Sequence, residues 1–445
     1  MLALPPLRTP ARCCLETILL ITILGQDAPG LTASLSRIIE RSGGVVLDIG
    51  QAVIHNKLCS GMMLHLPHPK DDPQIAELRG AMRIWAEGHD LDLDIAVISH
   101  DQYRDWVDRK GSTRHIVTLV SRKVYARQIS AITEICSKHN LTIDNITRLS
   151  GRVPLDGECD SQVHACVEFS VRGAVDNKKL RRAFLRVTRK QPVDISVQVD
   201  DIYRRNRRVV ILDMDSTLIT GEVIDELGRH HGVGAEISRI TRAAMRGEID
   251  FTESLHRRVS LLRGLSVEVM GRIAEDLKFN PGAERLVRTL HHLGLQSAIV
   301  SGGFDFFAAH VQQRLGITWA HANRLRVVGG VLTGEVVGPV VDAARKAGLL
   351  KEICRRSGYD TRQAIAVGDG ANDLPMLGRA GLGIAFHAKP RVKSNAQQTV
   401  NHLGLDAILY LLGLRDRDLD DPKLPDFVAE APRPSSALNR VVENA

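Results

Sequence analysis

Four short stretches carry residues able to do chemistry together. In "VVILDMDST" (209–217) an aliphatic run ends in Asp213 and Asp215, two positions apart, followed by a hydroxyl pair. "AIVSGG" (298–303) delivers Ser301 and Gly302, Lys346 lies in a helical stretch, and "AVGDGANDLPML" (366–377) delivers Asp369, Asn372 and Asp373. Gly368 and Gly370 around Asp369 let backbone approach a ligand closely. Carboxylates gathered at one place repel one another, so a cation must hold them. A hard divalent ion with oxygen ligands does so, and Mg2+ in particular binds through one or two carboxylates plus a phosphate. With that ion and Lys346 offsetting charge, one aspartate can attack phosphorus and form an aspartyl phosphate that water then hydrolyses. Asp215 is spaced to protonate the leaving alkoxide and later to deprotonate the water.

Such a site needs strands whose carboxyl ends meet. From about residue 207 to 414, strands alternate with helices: "RVVILD", "LQSAIVS", "AIAVGD" and "GLGIAF", with a Gly-rich hairpin "RVVGGVLTGEVVG" between the second and third. This rhythm predicts an α/β fold with a doubly wound parallel sheet, in which ligands collect at the carboxyl ends of the strands. The helical stretch over 221–277 is an insertion long enough to form a cap.

Upstream, the order strand–helix–strand–strand–helix–strand occurs twice, over about 15–100 and 115–200. The predicted elements of the first pass are 17–25, 31–41, 45–55, 58–66, 73–85 and 91–99. Those of the second are 115–121, 126–139, 141–150, 163–171, 176–189 and 193–199. Between them "HDQYRDWVDRKGSTR" reads as a polar connector. An internal repeat of two ferredoxin-like βαββαβ units is the simplest account. Residues 415–445, with "RDRDLDDPKLPD" and "APRPSS", bury little and read as a mobile tail.

Apolar residues at 44% and charged residues at 25% of 445 fit a globular chain and not a disordered one. The net charge of +7 arises from 59 basic residues spread among 52 acidic ones, and aromatics are only 4%. Only "RRNRR" (204–208) forms a compact basic run, so no nucleic-acid partner is expected. "LETILLITILG" (15–25) is too short and too acid-flanked to span a membrane and reads as a first strand. Seven scattered cysteines, only Cys13 and Cys14 close together, fit the cytoplasm and no disulfide framework.

The set Asp213/Asp215, Ser301, Lys346 and Asp369/Asp373 resembles the four motifs of the haloacid dehalogenase superfamily of phosphotransferases. That resemblance implies Asp213 as nucleophile and Asp215 as general acid and base. It implies Mg2+ on Asp213, the backbone carbonyl of Asp215 and Asp369, with Asp373 in support. Ser301, Gly302, Lys346 and Asn372 would lie on the phosphate side. Within the insertion, "DSTLITGEVIDELG" and "ITRAAMRGEIDFTESLHRRVSLLRGL" resemble the phosphoserine phosphatases. Glu222 would pair with the substrate ammonium and Arg258 with its carboxylate, while Met245 and Phe251 would cover the pocket.

The two βαββαβ units resemble ACT domains, amino-acid-sensing modules that commonly pair across chains. "GQDAPGLT" (25–32) matches their ligand loop, which implies serine bound at Gly25, Asp27 and Gly30 as a feedback effector, and a homodimer. The equivalent "SRKVYARQ" (121–128) has lost the glycines. The architecture implied is an enzyme for the last step of serine synthesis. Open alternatives are a same-fold phosphatase for another small phosphomonoester, and a serine-sensing regulator without turnover.

Overall fold

The structure, a computed structural model, describes residues 16–108, 113–152 and 165–419. Two compact units divide the chain, Met1–Ser112 and Thr113–Ala445. The first dozen residues, Cys159, the expected strand start at Val163 and everything from residue 420 onward lie outside the described residues.

The first unit runs β1 (Thr17–Gln26), α1 (Leu31–Glu40), β2 (Val45–Ile54), β3 (Lys57–Leu66), α2 (Pro73–Gly88), β4 (Leu91–Ile98) and α3 (His100–Asp108). Its strands form one antiparallel sheet in the order β2-β3-β1-β4. Every second residue of β3 is buried, which turns one face toward the helices. Leu31, Leu35 and Ile39 of α1 recur at helical spacing and meet Ile75, Leu78 and Met82 of α2 over that face. Asp72 caps α2 by accepting from Gln74 N, and Pro73 occupies the first helical position. The helix α3 replaces part of the expected connector; its apolar residues Tyr103, Trp106 and Val107 share one face but are only half-buried, and the charged residues around them read as a connector.

The second unit opens with the same order: β5 (Arg114–Ser121), α4 (Ala126–Lys138), β6 (Thr142–Arg148), β7 (Ala165–Arg172), α5 (Asn177–Lys190) and β8 (Asp194–Val199). The sheet β6-β7-β5-β8 repeats the arrangement of the first.

A seven-stranded sheet follows, built from β9 (Val209–Leu212), β10 (Gln296–Phe304), β11 (Trp319–Val328), β12 (Val331–Val337), β13 (Ala364–Gly368), β14 (Leu382–Phe386) and β15 (Gln398–Val400). The order is β12-β11-β10-β9-β13-β14-β15, parallel except for the antiparallel edge strand β12. Successive β9 residues face opposite ways: Val210 and Leu212 join one core, Val209 and Ile211 the other. A strand covered on both faces reads as an unbroken apolar run, as "VVIL" does.

Four helices fill the insertion: α6 (Val223–His230), α7 (Gly234–Arg246), α8 (Phe251–Ser260) and α9 (Val267–Glu275). The sheet is flanked by α10 (Ala283–His292), α11 (Asp305–Leu315), α12 (Ala343–Arg356), α13 (Leu374–Arg379), α14 (Pro390–Asn395) and α15 (Ala407–Leu411). One correction concerns the tail. Its first residues form the short helix α16 (Asp416–Leu419), where Asp416 accepts from Gly151 N and Tyr410 Oη and donates its own N–H to Leu149 O. Among the described residues no helix is long and apolar enough to cross a membrane.

Candidate active site

Because β9 is central and parallel to both β10 and β13, three strand ends open at one edge of the sheet. Asp213 leaves β9 with its N–H still donating to Val367 O of β13 at 2.9 Å, which fixes the direction of its side chain. The carboxylate is 5% exposed. Its Oδ1 accepts from Met214 N at 2.8 Å and lies 2.8 Å from Lys346 Nζ. Lys346 is completely buried and reaches Asp373 Oδ1 at 2.7 Å as well. Asp373 in turn accepts from Gly370 N at 2.9 Å through Oδ2. Burial alone lowers the pKa of the Lys346 ammonium, but Asp213 and Asp373 more than offset it and hold the group above its ordinary value.

Asp369 follows β13 and accepts from Thr217 Oγ1 at 3.2 Å. One oxygen from each of Asp213, Asp369 and Asp373 lies within 4.8 Å of the others. Three carboxylates against the one ammonium of Lys346 leave two negative charges when all are ionised. At that spacing each like pair repels by roughly 3–4 kcal/mol at an effective dielectric near 20. Burial, with Asp373 next to it, pushes Asp369 up to about 7. Burial and the same neighbour raise Asp213 as well. The donor set is all oxygen, buried except for the half-buried Asp369, and two charges short of neutral, which fits a hard divalent cation.

Asp215, two residues after Asp213, is buried too. Its Oδ1 accepts from Val223 N at 2.9 Å, and Ser301 Oγ lies 3.4 Å from Oδ2 while accepting from Gly303 N at 2.9 Å. Burial, reinforced by the Glu222 charge, pushes Asp215 up to about 7, so near neutral pH it holds or releases a proton readily. Gly303 is required here, since a Cβ would come 2.3 Å from Asp215 Oδ2.

From the insertion, Glu222 accepts from Ser216 Oγ at 3.2 Å. Burial raises its pKa, and the Arg258 charge opposes that rise. Arg258 is anchored by Ser254 O and Thr241 Oγ1 at 3.3 and 3.5 Å and belongs to the same electrostatic field as Glu222, Asp225 and Asp215. Phe251 and Asn372 both approach Gly302, where a Cβ would stand 3.0 Å from the phenyl ring and 3.6 Å from the Asn372 amide nitrogen. Met245 stands apart: it is 58% exposed, with Sδ 3.5 Å from Lys389 Nζ.

Gly25, Asp27 and Gly30 belong to the first unit. Gly30 is exposed at φ +91°, and Asp27 N donates to Asn56 O. Gly25 has a packing reason of its own, because a Cβ there would lie 2.4 Å from Leu91 Cδ2.

Some positioning residues carried no motif. Asn280 Nδ2 contacts the carbonyls of Ser216, Thr217 and Ile219, holding the turn that follows Asp213 and Asp215, in which Ser216 adopts φ +56°. Asn323 donates to Gly302 O and accepts from Val341 N. Both act on backbone groups, which residue type alone does not advertise. The Thr217 hydroxyl was visible as part of the pair after Asp215, but its partner Asp369 is 152 positions away.

Residues 210–378 match the haloacid dehalogenase-like hydrolase family, and residues 17–96 match the ACT domain. The phosphoserine phosphatase of Streptomyces coelicolor is 38% identical over 402 residues, 90% of this chain and 93% of that one. A phosphoserine phosphatase of Mycobacterium tuberculosis is 36% identical over 403 residues, 90% and 94% of the two chains. Among solved structures, a haloacid dehalogenase-family hydrolase of Salmonella enterica superposes with a TM-score of 0.58 at 27% identity, covering 67% of this chain and 98% of its own.

Proposed function

The chain belongs to the phosphoserine phosphatases, haloacid dehalogenase-like hydrolases with an N-terminal ACT domain, and from that premise we infer that it hydrolyses O-phospho-L-serine to L-serine and phosphate. The observation that carries the reading is the Asp213–Lys346–Asp373 chain of contacts beside Asp369 and Asp215, all at one sheet edge under a cap that presents Glu222 and Arg258.

In the first step Asp213 Oδ attacks phosphorus and the bond from phosphorus to the serine oxygen breaks, with Asp215 giving its proton to the departing alkoxide. The product bound to the enzyme is an aspartyl phosphate on Asp213. In the second, Asp215 takes a proton from water as that water attacks phosphorus. The bond to Asp213 then breaks and the carboxylate is restored. Lys346 has three N–H donors, two of which serve Asp213 and Asp373. The third is available to a phosphoryl oxygen, with Ser301, Gly302 and Asn372 on the same side.

A divalent cation, which we assign as Mg2+, would be held by Asp213, Asp369 and the Asp215 carbonyl with Asp373 beside them, and when bound it supplies positive charge to the phosphoryl oxygens. Glu222 would take the substrate ammonium and Arg258 its carboxylate, each burying a charge that its partner neutralises. Phe251 would exclude water above Gly302. Met245, now exposed, would reach the pocket only after the cap closes on substrate.

The second βαββαβ unit shares the strand order of the first, and this supports reading both as ACT domains. Serine as a feedback effector would bind the Gly25–Gly30 loop. The long edge strand β2, with Val45, Val46, Ile49, Val53 and Ile54 exposed, supports a homodimer formed through this unit. Four described cysteines are free, which agrees with a reducing cytoplasm.

Phosphate release from phosphoserine, measured with and without Mg2+, tests the assignment. Turnover should require the ion, and Asp213→Asn should lower kcat by at least about a thousandfold. Glu222→Gln and Arg258→Ala should raise KM for phosphoserine far more than for an aryl phosphate. Near-normal turnover by Asp213→Asn would refute Asp213 as the nucleophile.

A further inference from the structure

The strand β10 leaves register with β11 just where it delivers Ser301. Between the pairs Val300–His321 and Phe304–Asn323, β10 takes four steps while β11 takes two, so Ser301, Gly302 and Gly303 bulge out at the site. A bulge interrupts the backbone ladder and leaves peptide groups to be satisfied by other means. Asn323, 1% exposed, answers here with its side chain: Nδ2 donates to Gly302 O at 2.8 Å, and Oδ1 accepts from Val341 N at 2.7 Å. The second bond fixes which end of the amide faces the bulge, because the Val341 N–H needs an acceptor. Val341 directly precedes Asp342, the cap of the helix α12 that carries Lys346.

The Gly302–Gly303 peptide is thereby held at both of its polar ends. Its carbonyl is taken by Asn323, and its N–H donates to Ser301 Oγ at 2.9 Å. Ser301 is completely buried and has a single hydroxyl proton. Because Oγ accepts from Gly303 N, that proton is left for another acceptor, and Asp215 Oδ2 lies 3.4 Å away. With glycine on both sides, no Cβ opposes a turnover of the peptide plane. Turned over, the peptide would aim Gly302 O at Ser301 Oγ. The hydroxyl proton would then point at that carbonyl and away from the site.

We propose that Asn323 is a positioning residue for the phosphatase reaction: it locks the Gly302–Gly303 peptide in the orientation that reserves the Ser301 hydroxyl proton for a phosphoryl oxygen. The inference rests on reading the site as a phosphomonoester hydrolase. Through its second bond Asn323 also ties the serine bulge to the start of the lysine helix, so that two phosphate-side donors keep one geometry. An asparagine that merely braces the sheet would lower activity alike whether or not the Ser301 hydroxyl is present. One that acts through the hydroxyl would not.

Asn323→Asp tests this in the full chain with Mg2+. The variant keeps an acceptor for Val341 N but sets a carboxylate oxygen against Gly302 O, which repels that carbonyl and attracts the Gly303 N–H of the turned peptide. A protonated carboxyl would donate as the amide does, so the comparison is made at about pH 9. There kcat/KM should fall at least about tenfold, mostly in kcat. In a Ser301→Ala background the same substitution should cost less than about threefold, because the proton it redirects is already gone. Equal losses in the two backgrounds would overturn the proposal. Running the cycle on phosphoserine and on para-nitrophenyl phosphate separates the two readings: failure of phosphoserine alone refutes the substrate assignment and leaves the role of Asn323 decidable. A crystal structure of Asn323→Asp at the same pH reads the peptide without turnover. It should be turned over, with Gly302 O against Ser301 Oγ; an unturned peptide would overturn the proposal as well. If Asn323→Asp fails to fold, Asn323→Leu, which removes both bonds without adding charge, goes through the same cycle, and its loss too should shrink several-fold in the Ser301→Ala background.

Discussion

Leu91-Asp92-Leu93 at β4 and Val193-Asp194-Ile195 at β8 hold the same place in two sheets of the same strand order. Asp92 is exposed, whereas Asp194 is 3% exposed. Along β4 burial falls off toward solvent, while five of the six β8 residues are buried. The cause lies outside the unit. Gln398 of β15 exchanges two hydrogen bonds with the backbone of Val197, and Asp194 accepts from the N–H groups of Asn401 and His402 at 2.8 and 3.0 Å. Val120, Leu149 and Cys166 of the second unit join the core of the large sheet. One copy of the repeat is therefore part of the phosphatase core, while the other keeps an open edge and an open glycine loop. What sets the role of each copy is its covering and not its topology.

The sharpest way to break this contrast is to cut the same carboxylate from each copy. Asp194→Ala removes the buried acceptor of two backbone amides and should cost about 2–3 kcal/mol of stability. Asp92→Ala should change stability by no more than about 0.5 kcal/mol. Side-by-side urea melts measure both, and equal losses would mean that the docking of β8 contributes nothing.

A smaller effect depends on pH. The helix-facing position held by Leu19 in β1 is held by His115 in β5, and both are buried. His115 Nε2–H donates to Asn177 Oδ1 at 2.8 Å, and Nδ1 has no partner. Burial lowers its pKa below 6.5, outweighing the Asn177 bond. The unfolded chain then takes up the proton first. The stability contributed is present above about pH 6.5 and is lost as pH falls through the folded value, by at most about 1.4 kcal/mol per pH unit. Replacing His115 by Leu, the residue of the other copy, should flatten the acid limb of thermal stability between pH 6.5 and 5. An unchanged limb would assign it to other groups.

Legibility followed the range of the forces involved. The strands "VVIL" and "TILLITILG", the helix 31–40 and the strand-end carboxylates were readable because their causes are local: period, capping and strand-end position. The strand β15 was not foreseen, since "QTV" is three residues long and buries its glutamine only by bonding to β8, 201 positions away. Lys346 could be singled out by order among the motifs, but its complete burial between two aspartates is a property of the assembled sheet. The helix α3 buries no residue fully, and Asn280 and Asn323 work through carbonyls and amides tens of positions away along the chain.

The gentlest test compares the two loops that follow the first strand of each unit. Gly30 precedes α1 at φ +91°, where an added Cβ would touch nothing within 4 Å. Tyr125 takes the corresponding place before α4 at φ −109°, with its N–H donating to Gln128 Oε1. In Gly30→Ala the whole penalty is therefore backbone strain, about 1–2 kcal/mol, felt where the free amides of α1 begin. If serine is sensed there, inhibition should weaken by about five- to tenfold with kcat unchanged, while Tyr125→Ala should leave inhibition within about twofold. Gly25→Ala cannot replace this variant, because its methyl would press on Leu91 and disturb β4 whether or not serine is bound. Full inhibition of Gly30→Ala by serine would move the sensor out of the open loop, and the functional half of the contrast between the copies would fall with it.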